Sequence, residues 1–97
     1  MRKRRLACAP ARMKEETVVA FLRYPVSGLV DYALSIANLT WQEETAITLC
    51  GRKHMTQERA AEQTGCSVNT INNWYRSGIR KLCDAWSGSG WIEKLMK

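Results

Sequence analysis

The residues best suited to contact a partner are three asparagines and an arginine in the second half of the chain. Asn69, Asn72, Asn73 and Arg76 recur at steps of three or four residues, so they share one face if this stretch is helical. An asparagine side chain offers a donor and an acceptor that match the N7 and N6 atoms of adenine, and arginine pairs with guanine or with phosphate. Asparagine is a poor helix former, so three on one stripe favour a binding role over the alternative, a polar face in water.

Net charge points to the same kind of partner. The chain of 97 residues carries a formal charge of +6, which favours polyanions. Residues 1–14 contain six bases and no acid, residues 15–51 one base and five acids, and residues 52–97 eight bases and four acids. We therefore expect the two basic ends, and not the acidic middle, to meet phosphate. The first cluster is interpreted either as an arm for the minor groove or the phosphates, or as a solubilising tail: Arg2, Lys3, Arg4 and Arg5.

Cysteine and histidine provide no metal site or cofactor site. Cys8, Cys50, Cys66 and Cys83 are separated by 41, 15 and 16 residues, and His54 is the one histidine. This spacing matches no zinc-binding pattern, so we expect free thiols and neither a metal nor a cofactor. The apolar stretch after the basic start is too short for a signal peptide, which favours a cytoplasmic protein, and no apolar run is long enough to suggest a membrane partner.

Enzymatic activity is not expected. The sequence has no glycine-rich phosphate loop and no Ser/His/Asp set, so we predict no catalytic residues. A small helical chain also leaves little room for a deep pocket, so no small-molecule ligand is expected.

The elements that must position these residues are helical throughout, because apolar residues recur at three- and four-residue steps. We predict an all-α fold, a small bundle of about five helices over residues 14–23, 28–38, 40–51, 57–63 and 67–86. Ser27, Thr40 with Glu43, Thr56 and Ser67 are the expected caps. The predicted organisation is a basic disordered arm over 1–13, a DNA-binding domain over 14–86 with a helix-turn-helix at 56–82, and a flexible linker with a short tail over 87–97. Trp41 is expected to be buried.

A helix-turn-helix is indicated by three residues at fixed spacing. Two helices that meet at a tight angle need a small residue at the contact, a turn residue that tolerates positive φ, and an aliphatic side chain in the corner. Ala61, Gly65 and Ile71 meet these needs in that order.

The segment over residues 55–82, MTQERAAEQTGCSVNTINNWYRSGIRKL, resembles the C-terminal DNA-binding region of bacterial sigma factors and is similar to the LuxR-type helix-turn-helix. With the preceding helix the resemblance covers residues 39–82, and residues 1–38 fall outside it. A complete sigma factor is not expected at this length. Two residues depart from the family pattern: Thr64 replaces an aliphatic residue before the turn, and Gly78 replaces a helix former.

The resemblance implies that the helix after the turn enters the major groove of duplex DNA, while Ile71 and Trp74 remain in the core. The base contacts that it implies are Val68, Asn69, Asn72, Asn73 and Arg76, and the contacts to the DNA backbone are Thr56, Gln57, Ser67, Thr70, Arg80 and Lys81.

The sequence therefore predicts a sequence-specific, double-stranded DNA-binding transcription regulator of bacterial or phage type. The alternatives are an interaction module that contacts RNA polymerase or another regulator, and the DNA-recognition subunit of a recombination or excision system. One helix-turn-helix contacts about four or five base pairs, which implies a homodimer or another partner. Residues 14–38 are the expected dimer interface, unless they fold back and complete a monomeric core.

Overall fold

The computed structural model describes residues 13–96, and within them every regular element is helical, which confirms the all-α class. The helices are α1 (Glu15–Leu22), α2 (Ser27–Ser35), α3 (Trp41–Ala46) with a π-helical continuation (Ile47–Arg52), α4 (Gln57–Thr64), α5 (Val68–Ala85) and α6 (Gly90–Leu95). The long α5 packs against α1, α3, the π-helical segment and α4. In residues 13–96, no helix is both long and apolar enough to cross a bilayer.

Three of the four expected caps are confirmed. The Thr40 hydroxyl accepts from the backbone N–H of Glu43 at 3.2 Å, and the Glu43 carboxylate accepts from the Thr40 N–H at 2.9 Å, which forms a complete capping box. Thr56 and Ser67 cap α4 and α5 without a reciprocal bond: the Thr56 hydroxyl accepts from the N–H of Arg59 at 3.2 Å, and the Ser67 hydroxyl from that of Thr70 at 3.1 Å. Ser27 was wrongly predicted as a cap, because α2 begins one residue earlier, with Val26 as its cap residue and no side-chain bond.

The third helix does not continue to residue 51 as a regular α-helix. From Ile47 it widens into a π-helical segment, in which the N–H of Lys53 donates to the carbonyl of Thr48 five residues back, at 2.9 Å. Gly51 lies where α1 crosses this segment, since a Cβ atom there would be 2.9 Å from Leu22 Cδ1. The close approach of α1 thus depends on the missing side chain.

The main core contains α1, α2 and the second half of α5. Phe21 and Trp86 are both fully buried and meet edge to face, with ring centroids 5.3 Å apart. The Trp86 indole N–H donates to the carbonyl of Ala33 on α2 at 2.9 Å. The apolar faces of α1 and α2 are therefore covered by the chain itself, which is the fold-back alternative that the sequence left open. Covering these faces no longer requires a second copy.

The C-terminal segment differs from the predicted flexible linker and loosely held tail. The turn after α5 is hydrogen bonded, with the N–H of Ser87 donating to Asp84 at 3.3 Å and that of Ser89 to Trp86 at 3.0 Å. In α6, Ile92 is fully buried and Trp91 packs edge-on against Phe21 at 5.8 Å. The physical reason is that α1 leaves one side of the Phe21 ring uncovered, and α6 covers it.

Candidate nucleic-acid interface

The corner between α4 and α5 has the geometry that the sequence predicts. Gly65 ends α4 in the left-handed conformation, with φ at 74°, where a side chain would be strained. Ile71 from α5 is fully buried and Ala61 from α4 is 5% exposed, and they share a small core with Leu49 and Ala60. This second core holds α4 and α5 at a fixed angle.

Thr64, the departure before the turn, is accommodated within its own helix. Its hydroxyl donates to the carbonyl of Ala60 at 2.8 Å and lies 3.3 Å from that of Ala61. The polar group is therefore satisfied without entering the corner.

Gly78, the second departure, marks a close helix contact. A Cβ atom at this position would lie 2.9 Å from Ile47 Cγ1 and 3.4 Å from Glu43 Cβ. The glycine lets α5 approach α3 and the π-helical segment, and α5 runs unbroken through this position from Val68 to Ala85.

The stripe of predicted base-contacting residues lies on the outer face of α5. Asn69, Asn73 and Arg76 are exposed, and Val68, in the first turn, is 40% exposed. Arg80 continues the same line one turn further along and is also exposed. The structure thus brings an amide-rich, positively charged stripe together on one rigid helix.

Asn72 lies at the margin of this stripe and is half-buried. Its amide oxygen accepts a hydrogen bond from the Gln57 side chain on α4 at 3.1 Å. The bond joins the two helices of the motif through their polar side chains. The amide nitrogen keeps both of its hydrogens, and the oxygen keeps one lone pair, so Asn72 can still offer a donor and an acceptor to a base.

The residues predicted to contact the DNA backbone around the helix starts are exposed or half-buried. The Thr56 and Ser67 hydroxyls accept from backbone N–H groups as caps, and the Thr70 hydroxyl lies 2.9 Å from that of Ser67. A capping hydroxyl keeps its own hydrogen, which it can donate to a phosphate oxygen.

Lys81, predicted to contact the DNA backbone, binds an acid of the domain through its ammonium group. Its Nζ donates to Glu43 Oε1 at 2.8 Å, and the Ser77 hydroxyl donates to the other carboxylate oxygen at 2.5 Å. Glu43 is only 6% exposed. Lys81 therefore joins α5 to α3, a role that the sequence analysis missed; the small Gly78 one turn earlier was the available sign that another helix packs on this side.

The electrostatics of Glu43 follow from these contacts. Burial alone raises the pKa of a carboxyl, but hydrogen bonds from Lys81, Ser77 and Thr40 outweigh it and lower the pKa of Glu43 from 4.5 to about 2. The carboxylate is thus charged under neutral conditions and anchors both neighbours.

A second contact that the sequence did not reveal involves α1. A cavity of about 130 Å³ between α1 and α5 is lined by Glu15, Tyr75, Arg76, Ile79 and Arg80. Burial, and then the nearby Cys50 and Glu15, raise the pKa of Tyr75, while Arg23 acts in the opposite direction. The start of α1 therefore borders the two arginines of the stripe.

The predicted basic arm, with Arg2, Lys3, Arg4 and Arg5, lies outside the described residues. The described chain begins beside α5, where the N–H of Met13 donates to the carbonyl of Cys83 at 3.4 Å.

Comparison with known proteins identifies the family. The family model described as sigma-70, region 4 matches residues 30–82. The match begins within α2, so it includes residues 30–38, which the sequence analysis had placed outside the resemblance. No curated protein and no solved structure matches the chain. Since the match spans more than half of the chain, the chain belongs to the sigma-70 region 4 family of helix-turn-helix DNA-binding domains, which are not enzymes.

Proposed function

We propose that this sigma-70 region 4 chain binds double-stranded DNA in a sequence-specific manner and regulates transcription, with α5 in the major groove. The observation that carries the proposal is the exposed stripe of Asn69, Asn73 and Arg76 on a helix whose other side is locked into two cores. A rigid helix with donors and acceptors on its outer face has the size and the chemistry that the major groove requires.

Each residue of the stripe has a distinct task in this proposal. Asn69 and Asn73 pair with adenine edges, Arg76 pairs with guanine or a phosphate, and Val68 packs against a thymine methyl group. Asn72 donates from its amide nitrogen while Gln57 holds its oxygen.

Contacts to the DNA backbone flank the stripe. The Thr56 hydroxyl donates to a phosphate beside the start of α4. Beside the start of α5, the Ser67 and Thr70 hydroxyls share one hydrogen bond, and the hydrogen not used within this pair is donated to a phosphate. Helix N-termini also favour anions. Arg80 extends the contact along α5. Lys81 is not assigned to DNA here, because Glu43 engages its ammonium group.

Binding-site selection from random duplex DNA, followed by fluorescence anisotropy on the selected site, tests the proposal. Asn73→Ala is expected to cost about 1–3 kcal/mol on the selected site and much less on random duplex, because base contacts carry discrimination. Gln63→Ala, which removes an exposed amide on α4 away from the stripe, is the matched control and is expected to change neither affinity. Equal losses on both DNAs for Asn73→Ala would contradict the placement of α5.

The salt dependence gives an independent test. If one domain neutralises three to five phosphates, log K against log[salt] should fall with a slope of about −3 to −5. A flat response would exclude DNA as the partner.

Specific binding in a genome needs more base pairs than one motif contacts, so the proposal includes a second DNA-binding unit, with two α5 helices about 34 Å apart. Three large hydrophobic side chains remain exposed on residues 14–38 for a homodimer, Val26 at 50%, Tyr32 at 60% and Ile36 at 48%. The ring centroid of Trp91, on α6, lies 6.2 Å from that of Tyr32. Sedimentation equilibrium with and without the selected site measures the stoichiometry. One protein molecule bound to a selected site that contains a single half-site would contradict the dimer.

The same aromatic surface favours one alternative, a module that contacts RNA polymerase or another regulator. Tyrosine and tryptophan are enriched in protein interfaces. In that case Tyr32→Ala would abolish partner binding, and the Asn73→Ala variant would behave as the wild type.

A further inference from the structure

An open cavity of about 360 Å³ lies where the end of α1, the start of α2 and the end of the π-helical segment meet. Three basic side chains line it, those of Arg23, Arg52 and Lys53. Asp31 contacts Arg52 at 2.6 Å from α2, so the three cations and this one acid leave two net positive charges. No carboxylate is among the described residues that line the cavity.

The π-helical segment brings these groups together. Its five-residue hydrogen bond, from the N–H of Lys53 to the carbonyl of Thr48, places Lys53 above Thr48, and both residues line the cavity. Gly51 lets Leu22 approach the same segment, and Arg23, the next residue after Leu22, also lines the cavity. Helical segments of this kind are often found at functional sites.

Arg52 is held in place before any ligand arrives. Its side chain is only 23% exposed, and Asp31 Oδ1 accepts from one of its terminal nitrogens. A guanidinium group has five N–H donors, so the pairing fixes its orientation and leaves donors for an anion.

Two residues with hydroxyl groups, Ser27 and Thr48, also line the cavity, together with Leu22 and Tyr24. Ser27 is also the first residue of α2, whose cap residue, Val26, makes no side-chain hydrogen bond. Three cationic side chains and two residues with hydroxyl groups around one cavity match a tetrahedral oxyanion.

We propose that this cavity binds a phosphate group, at a site separate from the outer stripe of α5. The phosphate comes either from the DNA backbone beside the contacted site or from a free phosphorylated small molecule. The first source rests on the proposed function, and the second does not.

The first experiment titrates inorganic pyrophosphate into the full chain and follows backbone amide chemical shifts by NMR. Saturable shifts are expected at residues 23, 27, 48, 52 and 53. Arg23→Gln and Lys53→Gln should each weaken binding by at least about tenfold, since each removes a charge-assisted contact. Lys94→Gln removes the same charge from α6 outside the cavity and should leave binding unchanged. Circular dichroism melting curves of all three variants verify that they fold.

The second experiment measures the salt dependence of DNA binding for the same three variants. If the phosphate belongs to DNA, Arg23→Gln and Lys53→Gln each reduce the slope of log K against log[salt] by about 1, and Lys94→Gln does not. If it belongs to a small molecule, pyrophosphate binds and all slopes match that of the wild type.

Two results overturn the proposal. One is the absence of saturable pyrophosphate shifts together with unchanged slopes in both cavity variants. The other is an effect of Lys94→Gln equal to those of the cavity variants, which would reflect net charge alone. A flat salt response of the wild type with normal pyrophosphate binding would contradict only the proposed function.

Discussion

Replacing Glu43 with glutamine is expected to destabilise the domain strongly at neutral pH and hardly at all in acid. The variant keeps the size of the side chain and an oxygen that can accept from Thr40, but it removes the charge that Lys81 and Ser77 bind. Lys81 is 43% exposed, so its ammonium group can turn to water, and the loss is that of the charged contacts.

The magnitude follows from the pKa. A carboxyl whose pKa falls from 4.5 in the unfolded chain to about 2 in the fold contributes about 3 kcal/mol, at roughly 1.4 kcal/mol per pH unit. Because the folded pKa is the lower one, this contribution is fully present above pH 4.5 and is lost as the pH falls toward 2. For a domain of this size, about 3 kcal/mol corresponds to a decrease in Tm of roughly 10–20 °C.

Urea denaturation, followed by circular dichroism between pH 2 and pH 7, measures the free energy of unfolding of the wild type and of Glu43→Gln as a function of pH. The free energies of unfolding of Glu43→Gln and the wild type should differ by about 2–3 kcal/mol at pH 7 and converge to within about 0.5 kcal/mol at pH 2. Glu44→Gln, an exposed position one residue along the same helix, is the control and should change stability by less than about 0.5 kcal/mol. A gap that persists unchanged at pH 2, or no gap at pH 7, would refute the reasoning.

Three further substitutions test the packing by urea denaturation. Gly78→Ala should destabilise the domain by about 1–3 kcal/mol, because the new Cβ would lie 2.9 Å from buried Ile47. Gly28→Ala is the control and should stabilise it by up to about 1 kcal/mol, because no atom lies within 4 Å of its new Cβ. The opposite order would contradict the close contact of α5 with the π-helical segment. Ile92→Ala should cost about 2–4 kcal/mol if α6 belongs to the core, and a neutral result would support a loose tail. Trp41→Ala, 68% exposed, should cost far less than the same change at buried Trp86, and equal losses would show that Trp41 is buried in solution.

Local signals in the sequence were sufficient for the helical class, for three of the four expected caps and for the corner of the motif. The capping box at Thr40, the caps at Thr56 and Ser67 and the left-handed Gly65 each depend on a few adjacent residues, so they were predicted at the correct positions. The exposed stripe on α5 was predicted for the same reason, because helical periodicity alone decides which residues share a face.

Periodicity did not reveal which element covers which face. Trp41 was expected to be buried and is 68% exposed, with its ring centroid 5.9 Å from that of Trp74. The apolar faces of α1 and α2 were equally consistent with a dimer interface and with a monomeric core. In the structure Trp86 is buried against them, and its indole N–H donates to Ala33 of α2. Both outcomes depend on contacts between residues more than thirty positions apart, and the spacing of neighbouring residues carries no information about such contacts.

The sequence by itself thus determined the helical class, the turn between α4 and α5 and the polar stripe that faces outward, because each is set by backbone preference and spacing over a few residues. Only the tertiary structure decided that Lys81 binds Glu43, that α6 closes the core over Phe21, and that the π-helical segment brings Arg23, Arg52 and Lys53 around one cavity. The physical reason is that such contacts depend on how closely helices approach, and that distance is set by side chains from several helices at once.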